Sequence, residues 1–407
     1  MEADEVFTVR IEEIAAGGAG LARRGGKPVF VEGSAPGELV ICRLAEEHRS
    51  WARGELLEIA EASPDRVKPL CGLYGICGGC NLQHIRYGAQ LAAKAAILST
   101  AFERIGGFSP PEPALFPSAP WEYRNRMQFH RIKAKPQSPT RRRGAGKGDG
   151  GNGGAFGLKA RKSLSVVPVT DCPVADPGIR EALRQAAGGG AAFSPPPETD
   201  RFTVYSRGGL FLSEGGKRRG QVRLLDRSIS LDAGLFFQSN GDMLEQLISG
   251  LRDLAAGGNT GKGMADLYCG VGTFACFLGD LFPKTDLVEK NKSALALARE
   301  NFSKSGAAAE FFALSGDGWA ALKNGKASAQ PYGFIVVDPP RQGLSPSLSA
   351  WLAAKGAPLL AYVSCDPATL ARDGGILRRG GYELAELRLY DFYPQTAHIE
   401  SLAVFRK

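Results

Sequence analysis

Residues Met264 to Phe274 read MADLYCGVGTF. The run Met264–Leu267 is short and apolar apart from Asp266, as expected of a buried strand. Gly270 and Gly272 then let the backbone turn tightly and approach a ligand before a helix begins. The same alternation extends on both sides. MLEQLISGLRDL from Met243 reads as a helix, TDLVE from Thr285 as a strand, and KSALALARENF from Lys292 as a helix. FIVVD from Phe334, LLAYVS from Leu359 and LAVFRK from Leu402 complete a set of strands. Strands alternating with helices predict an α/β domain over 231–407 with a largely parallel, Rossmann-like sheet. Ligands of such sheets lie beyond the carboxyl ends of the strands, so the residues that follow each strand are the ones to weigh.

The second strand ends in Glu289, placed to bind a ribose diol. A dinucleotide-binding fold carries a similar acid, but this turn lacks the third glycine that packs a dinucleotide helix. The strand from Phe334 ends in Asp338-Pro339-Pro340-Arg341, a turn with no task in hydride transfer. Together these residues point to S-adenosylmethionine and methyl transfer rather than a nicotinamide cofactor.

YVSCDPATLARD places Cys365 directly after a buried strand, on the same sheet edge as Asp338. A thiol there suits covalent catalysis of a difficult methylation. C5 of uracil is a poor nucleophile; thiolate addition at C6 makes an enolate whose C5 can attack a methyl sulfonium. A base must then remove the C5 proton so that the thiol is expelled. The segment QTAHIES offers two candidate bases, His398 and Glu400. Cys269, Cys276 and Cys42 sit in the turn, a helix and an apolar strand, and read as small buried hydrophobes.

The chain has 407 residues and a formal charge of +8. Its length implies two or three domains, and its charge suits a polyanionic partner. No apolar run is long enough to span a bilayer, and the acidic start MEADEVFTVR lacks the order of a secretory signal, so a cytoplasmic location is expected. Residues 1–62 read as short strands between Gly and Pro turns, a small OB-like β-barrel of the oligonucleotide-binding kind. Residues 63–230 read as a central α+β domain carrying a cysteine cluster. Its segment 131–165, rich in Gly, Ser, Arg and Lys, is read as a flexible basic insertion without a specific role.

Cys71, Cys77 and Cys80 form C-x5-C-x2-C, and Cys172, followed by Pro173, offers a fourth thiolate. Zinc and iron–sulfur clusters both use four thiolates, with His84 a further possible ligand. Three near cysteines and one remote lean towards a [4Fe-4S] cluster, because zinc sites usually come as two paired knuckles.

These motifs resemble bacterial 23S ribosomal RNA (uracil-C5)-methyltransferases with a TRAM domain and a [4Fe-4S] cluster. The resemblance runs through VFVEGSAPGE, CGGCNLQH, WEYRNR, FFQSN, DLYCGVGTF, VDPPRQG, VSCDPATLARD and HIES. It implies cluster ligands at Cys71, Cys77, Cys80 and Cys172, and donor binding by Gln238, Tyr268, Thr273, Glu289, Asp317 and Asp338. It also implies Cys365 as nucleophile, Glu400 as the base, and RNA, 23S ribosomal RNA above all, as the partner of a monomer. Thr273 and Asp317 stand where asparagine is common in that family. Methylation of transfer RNA uridine or of RNA cytosine would use related chemistry, and an RNA-binding assembly factor would need none of it. Cytosine enzymes usually carry a second cysteine in the Asp338 motif, which here reads Asp-Pro-Pro-Arg, and Arg341 stands where an adenine N6-methyltransferase normally has an aromatic residue.

Overall fold

The computed structural model describes residues 5–132, 156–188, 190, 199–324 and 332–407. Six strands between Val6 and Glu61 form one sheet that wraps around a single core. Phe7, Val9, Val29, Val31, Val40 and Cys42 fill that core, every second residue pointing inward. The central region has a five-stranded antiparallel sheet in the order Val166–Pro168, Phe156–Lys159, Arg126–Arg131, Arg201–Arg207, Leu210–Ser213. The helix Pro177–Ala187, started by Asp176 as N-cap, covers it through Ile179 and Leu183. The end of the expected basic insertion is therefore not loose. Phe156–Lys159 is an inner strand of that sheet, paired with both neighbours, whereas residues 133–155 of the insertion lie outside the described residues.

The catalytic-side sheet has eight strands. Their order is Ala309–Phe312, Thr285–Val288, Gly263–Leu267, Tyr332–Val337, Leu359–Ser364, Glu400–Arg406, Glu383–Tyr390 and Ala114–Phe116. The first five run parallel, and Glu400–Arg406 runs antiparallel to both of its neighbours. Strands Tyr332–Val337 and Leu359–Ser364 are buried at every residue, as central strands covered on both faces must be. One face packs on the helices Gly241–Ala256 and Lys292–Phe302, the other on Pro346–Lys355 and Pro367–Arg379.

Residues 87–116 follow a different course from the one their position in sequence suggests. The helix Tyr87–Ala101 and the turn after it pack Leu98 and Phe102 into the core of the second face. Ala114–Phe116 extends the catalytic sheet beside Tyr390. The chain is thus stitched across its expected central boundary. Among the described residues, no helix is long and apolar enough to cross a membrane.

The barrel is tied to the segment that follows it by Glu38, which is fully buried. Its carboxylate accepts from Ala35 N at 2.8 Å, Ser63 N at 3.4 Å and Arg66 Nη2 at 2.8 Å. Glu38→Ala would strand a guanidinium and two amides, so we expect about 3 kcal/mol of lost stability in urea unfolding. A loss below about 1 kcal/mol, the level of an exposed pair, would mean that the barrel is held by its apolar contacts alone.

Candidate active site

The carboxyl ends of the parallel strands deliver Tyr268, Glu289, Asp338 and Cys365 to one edge. Glu400 reaches the same edge by the opposite route. It is the first residue of an antiparallel strand whose next residue, Ser401, pairs with Ser364. The sheet order therefore brings Cys365 and Glu400 together.

The turn after Leu267 is built on backbone conformations that side chains rarely adopt. Tyr268 has φ 66° and Gly272 φ 80°. A Cβ on Gly272 would stand 3.0 Å from Ala298 Cβ, so this glycine is needed both for its conformation and for the close approach of the next helix. Glu289 is fixed in place, because its carboxylate accepts from Gly270 N at 3.1 Å and Asn291 N at 2.7 Å.

Two cavities meet at this edge. One, of about 720 Å³, is lined by Gln238, Tyr268, Gly270, Glu289, Asp338 and Glu400, among others. Its size suits a nucleoside-bearing ligand. Gln238 Oε1 lines it, is buried and makes no hydrogen bond, which leaves an acceptor for a ligand's donor group. The residues present therefore fit S-adenosylmethionine. The other cavity, of about 750 Å³, opens between the barrel, at Ile14 to Gly17 and Phe30, and the catalytic domain, at Cys365 to Ala368. Arg104, Arg161 and Lys162 line it as well. Cys365, Arg341 and His398 are the residues common to both cavities.

Not every expected donor residue faces the cavity of about 720 Å³. Thr273 faces a smaller adjoining cavity of about 50 Å³, together with Gln238, Tyr268 and Asp338. Asp317 is exposed, and its carboxylate accepts the hydroxyls of Ser345 and Ser347. The preceding residues Leu314, Ser315 and Gly316 line the cavity in its stead.

Burial, then the negative charges of Glu400 and Asp338, push the Cys365 thiol up to about 11, while Arg341 pulls it down. Burial and then Asp338 push the Glu400 carboxyl well above its usual range, again opposed by Arg341. Burial likewise raises Asp338. Arg341 thus favours the ionised form of both the thiol and the carboxyl. The sequence reading gave it no role of its own, although its place after Asp-Pro-Pro put it on the right edge. His398 sits at the lip of both cavities, 3.3 Å from Arg341. Crowding against the protein, and then Arg341, Arg124 and Lys94, push its imidazole down to about 4, so it is neutral near pH 7.

The residues after Cys365 serve the architecture. Asp366 caps the helix Pro367–Arg379, accepting from Thr369 N at 2.9 Å, and Pro367 fills the first turn. Thr369 Oγ1 donates to Arg341 O at 3.2 Å, and Arg372 Nη2 to Gln342 O at 2.9 Å. Asp373, fully buried, accepts from Leu344 N at 2.8 Å and Tyr362 OH at 2.7 Å. This helix therefore grips the loop that carries Arg341.

The cysteine segment lies on the side of the barrel cavity. Gly78 and Cys80 belong to its wall, and a Cβ on Gly78 would meet Lys159 O at 3.2 Å. Cys71, Cys77, Cys80 and Cys172 are all free thiols. Burial raises the thiols of Cys77, Cys80 and Cys172, and neighbouring cysteines of the group raise each further. They share one neighbourhood, yet among the described residues no three His, Cys, Asp or Glu side chains converge on a point that could hold one metal ion. Four free thiols in one neighbourhood are a donor set of the kind that either a zinc ion or an iron–sulfur cluster takes. His84 is committed elsewhere. Its Nε2 lies 3.0 Å from Ser34 O and its Nδ1 2.6 Å from Tyr74 OH. Cys42, Cys269 and Cys276 are buried, as small hydrophobes would be.

Comparison with known proteins agrees with this architecture. The tRNA (Uracil-5-)-methyltransferase family matches residues 221–407, and the TRAM domain matches residues 4–57. An RNA methyltransferase of Treponema denticola is 34% identical, over 94% of this chain and 94% of that protein. The 23S rRNA (uracil(1939)-C(5))-methyltransferase RlmD of Xylella fastidiosa is 30% identical over 98% of this chain and 97% of its own length. In fold, the chain is similar to the Pyrococcus abyssi tRNA (uracil-54, C5)-methyltransferase solved with S-adenosyl-L-homocysteine. The TM-score is 0.72 at 23% identity, covering 98% of this chain and 100% of that one. The chain belongs to the TRAM-bearing family of S-adenosylmethionine-dependent RNA (uracil-C5)-methyltransferases.

Proposed function

We propose that the protein methylates C5 of a uridine in 23S ribosomal RNA through a covalent bond between Cys365 and C6 of the base. The observation that carries this reading is the position of Cys365, with Arg341 and His398, where the two cavities meet. The donor enters from one side and the RNA from the other, so the thiol stands where base and methyl group must come together. Full-length relatives named for 23S rRNA support the choice of RNA.

S-adenosylmethionine supplies an electrophilic methyl group on a sulfonium. Gln238, Tyr268, Glu289 and Asp338 line the cavity that holds it, with Glu289 placed for the ribose diol. Cys365 adds as thiolate to C6, and the electron pair of the C5–C6 double bond becomes available at C5 for attack on the methyl carbon. Glu400 takes the C5 proton; the double bond re-forms, the sulfur–C6 bond breaks, and the thiolate is restored. Arg341 favours both anions that this sequence needs. The barrel, over 1–62, would hold flanking RNA along the second cavity, where Arg104, Arg161 and Lys162 can meet phosphates. Cys71, Cys77, Cys80 and Cys172 would hold the [4Fe-4S] cluster, which ties two distant segments of the central region into one unit.

The first test incubates the protein with methyl-labelled S-adenosylmethionine and unmodified ribosomal RNA, followed by mass spectrometry of the nucleosides. Label should appear in 5-methyluridine and vanish in Cys365→Ala. Label in 5-methylcytosine, or a Cys365→Ala variant that still methylates, would overturn the proposal. The charge of Arg341 can be tested without RNA by following alkylation of Cys365 with iodoacetamide. Only the thiolate reacts, so below about pH 11 the rate should climb with pH. Arg341→Met moves the thiol further up, and a solvent-screened charge worth about 1 kcal/mol corresponds to roughly fivefold slower alkylation at pH 8. An unchanged rate would remove Arg341 from the account. Finally, Cys172→Ser should lose both iron and folded structure; an iron-free, fully folded and active variant would refute a structural cluster.

A further inference from the structure

The segment Asp391–Ile399, directly before Glu400, has no strand or helix of its own, yet most of it is buried. Buried backbone without regular structure needs partners from outside, and here they come from distant parts of the chain. Lys94 Nζ donates to Asp391 Oδ1 at 2.6 Å and to Tyr393 O at 3.0 Å. Gln90 receives Gln395 N at 2.9 Å and donates to Gln395 Oε1 at 3.0 Å. Asn81 N and Leu82 N donate to Gln395 O at 3.1 and 3.0 Å, and Asn81 Oδ1 receives Ala397 N at 2.9 Å. Gln395 is held at φ 67°, a left-handed conformation uncommon in a non-glycine residue.

Gln90 and Lys94 stand one turn apart on the helix Tyr87–Ala101, on the same stripe as the core residue Leu98. The side chain of Lys94 is 1% exposed and that of Asp391 0%. Two polar residues on the buried face of a helix are a poor way to gain stability, because apolar residues of similar volume would hold the layers together at least as well. What an ion pair adds is a fixed geometry. Apolar packing would bind the segment without specifying where its end falls, whereas the pair, with Gln90, sets its register.

We propose that Lys94 is a positioning residue of the methyl-transfer reaction: through Asp391 and Tyr393, and with the help of Gln90, it sets the place of Glu400. The proposal rests on Glu400 being the base that removes the C5 proton. It assigns to a helix in the first quarter of the chain a share in a step performed near the last strand.

A misplaced base slows the step after methyl transfer, when Cys365 is still bound to C6. Lys94→Met should therefore accumulate a protein–RNA adduct on ordinary substrate RNA, visible as a shifted band on a denaturing gel. Its kcat should fall by about 100-fold, the usual effect of moving a catalytic group by about 1 Å. The donor dissociation constant should change far less than kcat, because Gln238, Tyr268, Glu289 and Asp338 line the donor cavity from other parts of the chain. Gln90→Leu, which strands no buried charge, should show the same adduct with a smaller fall in kcat, and it carries the test if Lys94→Met fails to fold. Glu400→Gln is run beside them. If Glu400→Gln builds up adduct while the folded Lys94→Met and Gln90→Leu variants do not, the positioning role is overturned and the base is not. If Glu400→Gln builds up none, the assignment of the base falls, and this proposal with it. A loss of melting temperature with kcat and KM worsening together and no adduct would mark a purely structural pair.

Discussion

The site depends on one reversal of strand direction. Four parallel strands release their last residues at the same edge of the sheet, and side chains from them could make a binding site without help. A covalent reaction also needs a base next to the nucleophile, and the strand after Leu359–Ser364 in the sheet supplies it only because it runs the other way. With Glu400 as its first residue, an antiparallel strand starts where its neighbours end. A parallel strand in that place would carry the same residue to the far edge. The meeting of Cys365 and Glu400 is thus a consequence of topology, and if they act as we propose, the segment just before Glu400 has to be held accurately.

That requirement explains why the first quarter of the chain is so deeply involved in the catalytic half. The helix Tyr87–Ala101 buries Leu98 in the second-face core and turns Gln90 and Lys94 towards Gln395 and Asp391. Asn81 directly follows Cys80 and donates from Nδ2 to Gly17 O in the barrel while accepting from Ala397 N. A single side chain therefore joins barrel, cysteine segment and catalytic loop. A device of this kind makes the position of the base depend on the central region being folded, which gives the cysteine site a structural reason to lie where it does.

Much of the architecture was legible because it follows from periodicity and turn chemistry. The alternation beyond Leu231 pointed to the α/β sheet, and the residues that follow its strands pointed to Glu289, Asp338 and Cys365, whereas Tyr268 came only from the family resemblance. What stayed hidden depends on partners far apart in sequence. Residues 87–116 look like part of the central region, since nothing local marks Ala114–Phe116 as the eighth strand of the catalytic sheet. Phe156–Lys159 lies at the end of a glycine-rich, basic stretch, and only its pairing with Arg126–Arg131 makes it a strand. Asp317 follows a strand, as the binding acids do, but two serine hydroxyls take its carboxylate. Lys94 looks like an ordinary lysine in an alanine-rich helix; its meaning resides in Asp391, almost three hundred residues away.

The electrostatics of the edge follow from the same crowding. Burying a thiol and two carboxyls together penalises every one of their charges, so each anion makes the next harder to form. Arg341 is the cation that works against this on both Cys365 and Glu400, and it is exposed, with water screening part of its effect. Burial and the neighbouring carboxyls thus work against the thiolate form of Cys365. The balance improves when a cationic donor occupies the cavity beside Asp338 and Glu400, because a positive charge there lowers the cost of each negative one. The burial that raises the thiol also strengthens every attraction made at this edge, that of Arg341 included.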